Sequence, residues 1–200
     1  MSNDANAIIY YLSIDPSISC TGVSVLSVSK DKYILHYKTS LIPDTPRKHD
    51  KTKFIKKNAL GEIFDFCINY IQNDLNLKIS FAVFEDYSYG SVGHLAHLGE
   101  LNGIYKYILA KHKIEFDVIA PSSIKKIITG SGRAFKADVA EKLKDFVLNY
   151  HEFSFNNYDE TDSVAVGVAY GEYIKNNMEK DNNAPSKNTK KNRWVYRFKF

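Results

Sequence analysis

Four acidic residues stand out by their positions, at the predicted ends of strands or the start of a helix. Asp15 and Glu85 each directly follow a short apolar run with the composition of a buried β-strand. Asp159 and Asp162 are three residues apart at the start of a segment with helical periodicity, so both side chains project from one face. Mg²⁺ prefers oxygen ligands such as carboxylates, and four ionised carboxylates in one place need compensating positive charge. Two Mg²⁺ ions would supply it, so this pattern predicts a two-metal site for phosphodiester chemistry.

Each of these acids also has a purely structural interpretation. Asp15 precedes Pro16, an arrangement that is typical of a turn. Glu85 suits a solvated strand end, and Asp159 and Asp162 suit the N-terminus of a helix electrostatically. We favour a shared site because all four acids stand at the ends of elements that are predicted to converge.

The elements that must bring the acids together follow from hydrophobic periodicity. Short apolar or alternating runs predict five strands, at residues 7–14, 21–28, 33–41, 79–84 and 114–118. Helical spacing predicts five helices, at residues 53–75, 94–111, 121–130, 136–149 and 159–176. The fold class is therefore α/β: a five-stranded mixed sheet, its first three strands antiparallel, flanked by helices in the element order of the ribonuclease-H-like fold. With the first and fourth strands as neighbours, Asp15 and Glu85 emerge side by side, and a helix packed across them adds the other two acids.

Length and composition limit the class of protein. The chain has 200 residues, of which 44% are hydrophobic and 25% charged, a balance that excludes a disordered or fibrous protein. No stretch approaches the roughly 20 apolar residues that cross a bilayer, and the N-terminus does not resemble a secretory signal. Cys20 and Cys67 are too few for a disulfide framework or a zinc site of their own. We therefore expect a cytoplasmic protein without a membrane partner.

The charge of the chain is concentrated in its C-terminal segment. We expect one domain over residues 1–178 and a flexible basic and aromatic tail over residues 179–200. The net charge is +4, yet residues 184–200 hold six basic side chains and no acid. The aromatic residues there alternate with basic ones: Trp194, Tyr196, Phe198 and Phe200. We favour DNA contact for this tail, with an added sheet-edge strand or a disordered segment as alternatives.

A glycine-rich basic segment lies between two predicted helices. Gly130 and Gly132 allow the backbone to approach a ligand closely, and the amides at the next helix start are able to face an anion. The basic residues around these glycines form a cluster typical of contact with phosphate backbones: Lys125, Lys126, Arg133 and Lys136. A glycine helix stop beside a solvated lysine face is the structural alternative.

Several segments in order resemble the RuvC family of Holliday junction resolvases, and in particular its short bacteriophage versions. They are the segments 13–17 with Thr21-Gly22, 82–85, 98–103, 129–136 and 159–165. The resemblance covers roughly residues 7–176 and supports the ribonuclease-H-like fold. The ordered set of acids is moderately specific, and the glycine–lysine segment adds to it.

The resemblance implies a function and a role for each site residue. Asp15, Glu85, Asp159 and Asp162 would be the metal ligands for two Mg²⁺ ions, with Mn²⁺ as a substitute, and Lys136 would lie near the scissile phosphate. The implied enzyme is a homodimeric endonuclease that cuts four-way DNA junctions in recombination or phage DNA processing. It would leave 5′-phosphate and 3′-hydroxyl ends, and would act in the host bacterial cytoplasm if phage-encoded.

One departure concerns an aromatic wedge that the family often carries after its second acid. Here Ser88 lies three residues after Glu85, and its neighbours Tyr87 and Tyr89 are the candidates for stacking on an unpaired base.

The residues leave other functions open. One is a nuclease for branched DNA in general, such as forks and flaps, or for an RNA–DNA hybrid. Another is a junction-binding protein whose acids do no chemistry. We reject an actin-like kinase or ATPase, because 200 residues leave no room for its second domain.

Overall fold

The computed structural model of the chain describes residues 8–43, 50–86 and 95–183. Five strands lie within these ranges: β1 (Tyr10–Asp15), β2 (Thr21–Ser29), β3 (Lys32–Leu41), β4 (Ile79–Glu85) and β5 (Glu115–Ile119). The α-helices of the same ranges are α1 (Asp50–Asn69), α2 (Leu95–Lys111), α3 (Pro121–Thr129), α4 (Lys136–Leu143) and α5 (Tyr158–Asn183). A π-helical turn, Tyr70–Asp74, continues α1, and a 3₁₀ turn, Tyr150–Glu152, follows α4.

The strands form one mixed sheet in the order β3-β2-β1-β4-β5. β1 and β3 both pair antiparallel with β2, which confirms the predicted meander. β4 pairs parallel with β1 on one side and with β5 on the other. The first and fourth strands are therefore neighbours, and two parallel strands end at the same edge of the sheet.

Helices cover both faces of the sheet, so the core has two halves. Leu12 and Ile14 of β1 lie in the half that α1 and α2 cover, together with Phe64 and Tyr105. Tyr11 lies in the other half, under the helices α3, α4 and α5. Because β1 is buried on both faces, residues 11–14 are all buried and only Ser13 among them is polar.

The helix predicted over 136–149 ends early, at Leu143. The next residues turn back to β3, where the Tyr33 amide donates to the Phe146 carbonyl at 3.0 Å and the Leu148 amide donates to the Tyr33 carbonyl at 2.9 Å. Val147, only 2% exposed, joins the core at this point. The prediction was wrong here because pairing with the β3 edge, a long-range contact, replaces the last helical turns.

α5 packs unusually close to the sheet. A Cβ atom at Gly167 would lie 2.6 Å from Leu26 Cδ1 and 2.7 Å from Ser13 Oγ, closer than atoms can approach. The helix begins one residue before its predicted start and runs on to Asn183. It therefore continues past residue 178, and the remaining residues of the predicted tail, 184–200, lie outside the described ranges.

No helix in the described ranges combines the length and the apolar character that a membrane crossing requires.

Candidate active site

Asp15 and Glu85 lie side by side at one edge of the sheet. Ile14 of β1 pairs with Phe84 of β4, and each acid is the next and last residue of its strand. Both side chains are partly buried. The parallel pairing of β1 and β4 thus brings together two acids that are 70 residues apart in the sequence.

The start of α5 brings Asp159 to the same place. Asp15 pairs with Gly22 across the β1–β2 ladder. A Cβ atom at Gly22 would lie 1.9 Å from the carbonyl oxygen of Asp159 and 3.1 Å from Ser163 Cβ. Only glycine leaves room for α5 at this position, and Asp162 follows Asp159 by nearly one helical turn.

The charges of these acids act on one another. Burial raises the pKa of Asp15 to about 7, and the negative charges of Asp162 and Asp159 add to the rise. Burial also raises the pKa of Glu85 to about 8, with Asp15 and Asp162 contributing. The pKa of Asp162 is raised as well, chiefly by burial and further by Asp159. The four predicted acids therefore form one electrostatic cluster, which we call the carboxylate cluster.

Lys136, at the start of α4, supplies positive charge to the carboxylate cluster. Its ammonium group forms an ion pair with the Asp162 carboxylate, while the lysine side chain remains 55% exposed. Burial lowers the pKa of Lys136, but the hydrogen bond and charge of Asp162 outweigh it, so that the pKa lies above its ordinary value. Lys125 of α3 is also near enough for its charge to lower the pKa values of Glu85 and Asp162.

The other predicted DNA-binding residues lie on the surface, in the glycine segment between α3 and α4, or outside the described ranges. Lys126 and Arg133 are exposed. Gly130 ends α3 in the left-handed conformation (φ 83°), and its amide donates to the Lys126 carbonyl at 2.9 Å. A Cβ atom at Gly132 would lie 3.2 Å from the backbone oxygen of Ser122, so the glycine segment folds back against the start of α3.

Gly130 therefore has the helix-ending role that was the structural alternative. Tyr87 and Tyr89 fall in residues 87–94, outside the described part of the chain.

A buried polar network that the sequence analysis missed fixes the start of α5. Glu160 is 3% exposed and forms an ion pair with Lys38 of β3. The Asn156 amide donates to Glu160 Oε2 at 2.9 Å. Asn157 caps the helix: its Oδ1 accepts from the Glu160 amide at 3.0 Å, and its Nδ2 donates to Ser40 Oγ at 3.1 Å. The network ties α5 to β3 next to Asp159.

Only part of this network has a signal in the sequence. An asparagine before an acidic helix start is a typical N-cap, so Asn157 was detectable. Lys38 carries no such signal, because its partner Glu160 lies 122 residues away.

The donor chemistry of the carboxylate cluster fits a hard divalent cation. All its donors are oxygens. Burial, and after it the neighbouring negative charges, raise the pKa values of Asp15, Glu85 and Asp162, and a bound cation would stabilise their ionised forms. Within the described residues, no three His, Cys, Asp or Glu side chains are already arranged to hold a metal ion. Asp162 instead forms an ion pair with the Lys136 ammonium, which supplies positive charge to the carboxylate cluster.

The mixed sheet in this strand order, with β4 parallel to β1, gives the chain a ribonuclease-H-like fold. The family described as crossover junction endodeoxyribonuclease RuvC matches residues 11–170. The chain belongs to this family, whose members depend on divalent metal ions.

Individual relatives agree with this assignment. The RuvC endonuclease of Orientia tsutsugamushi (strain Ikeda) is 29% identical over 154 residues, which cover 77% of this chain and 89% of the relative. The RuvC endonuclease of Pseudothermotoga lettingae is 27% identical over 157 residues, which cover 78% of this chain and 87% of the relative.

The solved structure of Thermus thermophilus RuvC in complex with a Holliday junction substrate is similar to this chain. Its TM-score is 0.66 at 15% identity, with 85% of this chain and 97% of that chain covered. The fowlpox virus Holliday junction resolvase gives a TM-score of 0.50 at 9% identity, covering 83% and 99%. At these identities the likeness shows a shared fold.

Proposed function

We propose that the protein is a Mg²⁺-dependent endonuclease that resolves four-way DNA junctions as a homodimer. The single observation that carries the proposal is the carboxylate cluster, in which β1, β4 and α5 bring four acids together and Lys136 pairs with one of them. Family membership supports the same reaction. The Thermus thermophilus relative, solved in complex with a Holliday junction substrate, supports the same substrate class.

Asp15, Glu85, Asp159 and Asp162 would hold two Mg²⁺ ions, with Mn²⁺ as a substitute. Four carboxylates carry four negative charges, and two divalent ions balance them. When bound, such ions polarise a phosphoryl oxygen and generate a nucleophile from water at neutral pH.

Lys136 has the chemistry to act on the scissile phosphate itself. Its exposed ammonium is able to turn from Asp162 to a phosphate oxygen, and its raised pKa keeps it charged at neutral pH. There it stabilises the negative charge that develops in the transition state. Lys125, Lys126 and Arg133 would contact neighbouring phosphates and fix the strand in register. Hydrolysis in this arrangement leaves 5′-phosphate and 3′-hydroxyl ends.

A homodimer suits the proposed substrate because a four-way junction has twofold symmetry. Two copies related by a twofold axis present two sites to symmetry-related strands. Paired cuts then resolve the junction into two duplexes, which is the outcome required in recombination or phage DNA processing.

The test is cleavage of a synthetic four-way DNA junction in Mg²⁺ by the full chain and by Asp15→Asn and Asp162→Asn. We expect each variant to lose at least ~100-fold in cleavage rate while still binding the junction in a gel-shift assay. Asp31→Asn is the matched control, since Asp31 is exposed in the turn between β2 and β3, at the opposite end of β1 from Asp15. Full cleavage by both site variants would refute the metal-site assignment.

The alternatives predict different products. Equal cleavage of three-way, flap or RNA–DNA hybrid substrates would indicate a broader nuclease. Junction binding without any metal-dependent product would indicate an architectural protein. The mass of the protein in solution, measured by light scattering, tests the dimer.

A further inference from the structure

Phe135 is the most exposed large apolar side chain in the described part of the protein. It is 79% exposed and directly precedes Lys136, whose ammonium pairs with Asp162. The Cα atoms of Phe135 and Lys136 are about 3.8 Å apart, so the two side chains leave the backbone at neighbouring positions at the start of α4. A phenyl ring this exposed contributes little to the core and is available to contact a bound ligand.

The backbone of Phe135 is held firmly although its ring is exposed. Its amide donates to Asp138 Oδ2 at 3.1 Å. Its carbonyl accepts from the Asp138 amide at 3.1 Å and from the Val139 amide at 3.2 Å. Val139 is 3% exposed and belongs to the core. The ring therefore projects from a fixed point, which lowers the entropic cost of using it in binding.

The surroundings of Phe135 are cationic. Arg133 lies two residues before it and Lys136 one residue after it, and both are exposed. The glycine segment also folds back on α3, which carries Lys125. The charge of Lys125 lowers the pKa values of Glu85 and Asp162. An aromatic ring among positive charges suits a ligand that combines a negative backbone with flat π-faces. A strand of nucleic acid has both properties, whereas an uncharged apolar partner would gain nothing from the cations.

We propose that Phe135 stacks on the base of a nucleotide next to the phosphate that Lys136 holds. This inference rests on the proposed nuclease function and adds a base-stacking site to it, apart from the candidates Tyr87 and Tyr89. The stacked base must be unpaired, so the site favours strands that open at a branch point over continuous duplex. Because every base has a π-face, the site detects the presence of an unstacked base rather than its identity.

The experiment measures junction affinity in EDTA by fluorescence anisotropy, with Phe135→Ala, Phe135→Leu and Phe135→Trp in the full chain. A series of junctions, each lacking one base within three nucleotides of the cleavage site, locates the partner. We expect Phe135→Ala and Phe135→Leu to weaken binding of the intact junction about ten-fold, the factor that corresponds to one stacked base of about 1.4 kcal/mol. Phe135→Trp should bind like the wild type. One abasic junction should bind the wild type and Phe135→Ala equally weakly.

Phe66→Ala is the control, because Phe66 is 72% exposed on α1, in the layer across the sheet from α4. It should leave affinity unchanged. The stacking proposal is overturned if Phe135→Leu binds like the wild type, or if Phe135→Ala costs the same on every abasic junction. If the wild type binds and cuts the junction and Phe135→Ala does so equally well, only the stacking proposal is overturned. A wild-type protein that neither binds nor cuts overturns the proposed function itself.

Discussion

The carboxylate cluster makes the stability of the metal-free protein depend on pH, and Asp15→Asn is the perturbation that isolates this dependence. Burial and the neighbouring acids hold the pKa of Asp15 at about 7 instead of 3.8. The folded state thus binds a proton more tightly than the unfolded chain does. Protonation of Asp15 stabilises the fold at low pH, and this contribution disappears as the pH rises through 7.

The magnitude follows from the size of the shift. A rise of about three units corresponds to at most about 4 kcal/mol at 1.36 kcal/mol per unit, and about 2.7 kcal/mol of that is lost between pH 5 and pH 8. Glu85 and Asp162 share the repulsion with Asp15, so protonation of any one of them relieves the others. We therefore expect a loss of about 2 kcal/mol over this range from the Asp15 proton.

The assay is urea unfolding in EDTA at pH 5, 6, 7 and 8, with the wild type and Asp15→Asn compared at each pH. Between pH 5 and pH 8, the free energy of unfolding of the wild type should fall by about 2 kcal/mol more than that of the variant. Saturating Mg²⁺ should restore most of this loss. Asp31→Asn is the control: the pKa of Asp31 is lowered by its hydrogen bond to Lys175, so the group is already ionised throughout this range. The reasoning would be refuted if the free energies of unfolding of the wild type and Asp15→Asn changed equally with pH.

Three further predictions test the packing of α5 and α2. Gly22→Ala should abolish cleavage and lower the melting temperature, because its Cβ atom would overlap the Asp159 carbonyl oxygen at 1.9 Å; normal activity would contradict the close packing. Gly103→Ala should stabilise α2 by up to about 1 kcal/mol in urea unfolding, since nothing lies within 4 Å of the new Cβ atom, and a loss of stability would mean that this face is covered. Lys38→Met should destabilise the fold by about 3–5 kcal/mol, because it removes the cation that pairs with the buried Glu160 carboxylate. The double variant Lys38→Met/Glu160→Gln should recover most of that loss in urea unfolding, and failure to recover would show that the penalty is not one of charge.

The sequence predicts the strands and the acids at their ends because both depend on local patterns. Apolar runs that end in Asp15 and Glu85 identify the strand ends, and the assumed adjacency of the first and fourth strands is confirmed by the pairing of β1 with β4. The role of these acids as metal ligands stays a prediction. The early end of α4 was not predictable, because Val147 leaves the helical pattern only to pair with Tyr33 of β3. The same holds for Lys38, whose partner Glu160 is brought near by the docking of α5.

The dependence of the carboxylate cluster on α5 has a consequence for the newly made chain. Asp15 and Asp159 are 144 residues apart, and α5 follows every other described element. While the ribosome still holds α5, the sheet has two of the four acids, and Lys136 lacks its ion-pair partner Asp162. If the four acids act together as proposed, a chain from which α5 has not yet emerged does not cut DNA, and the activity arises only once α5 has packed against the sheet.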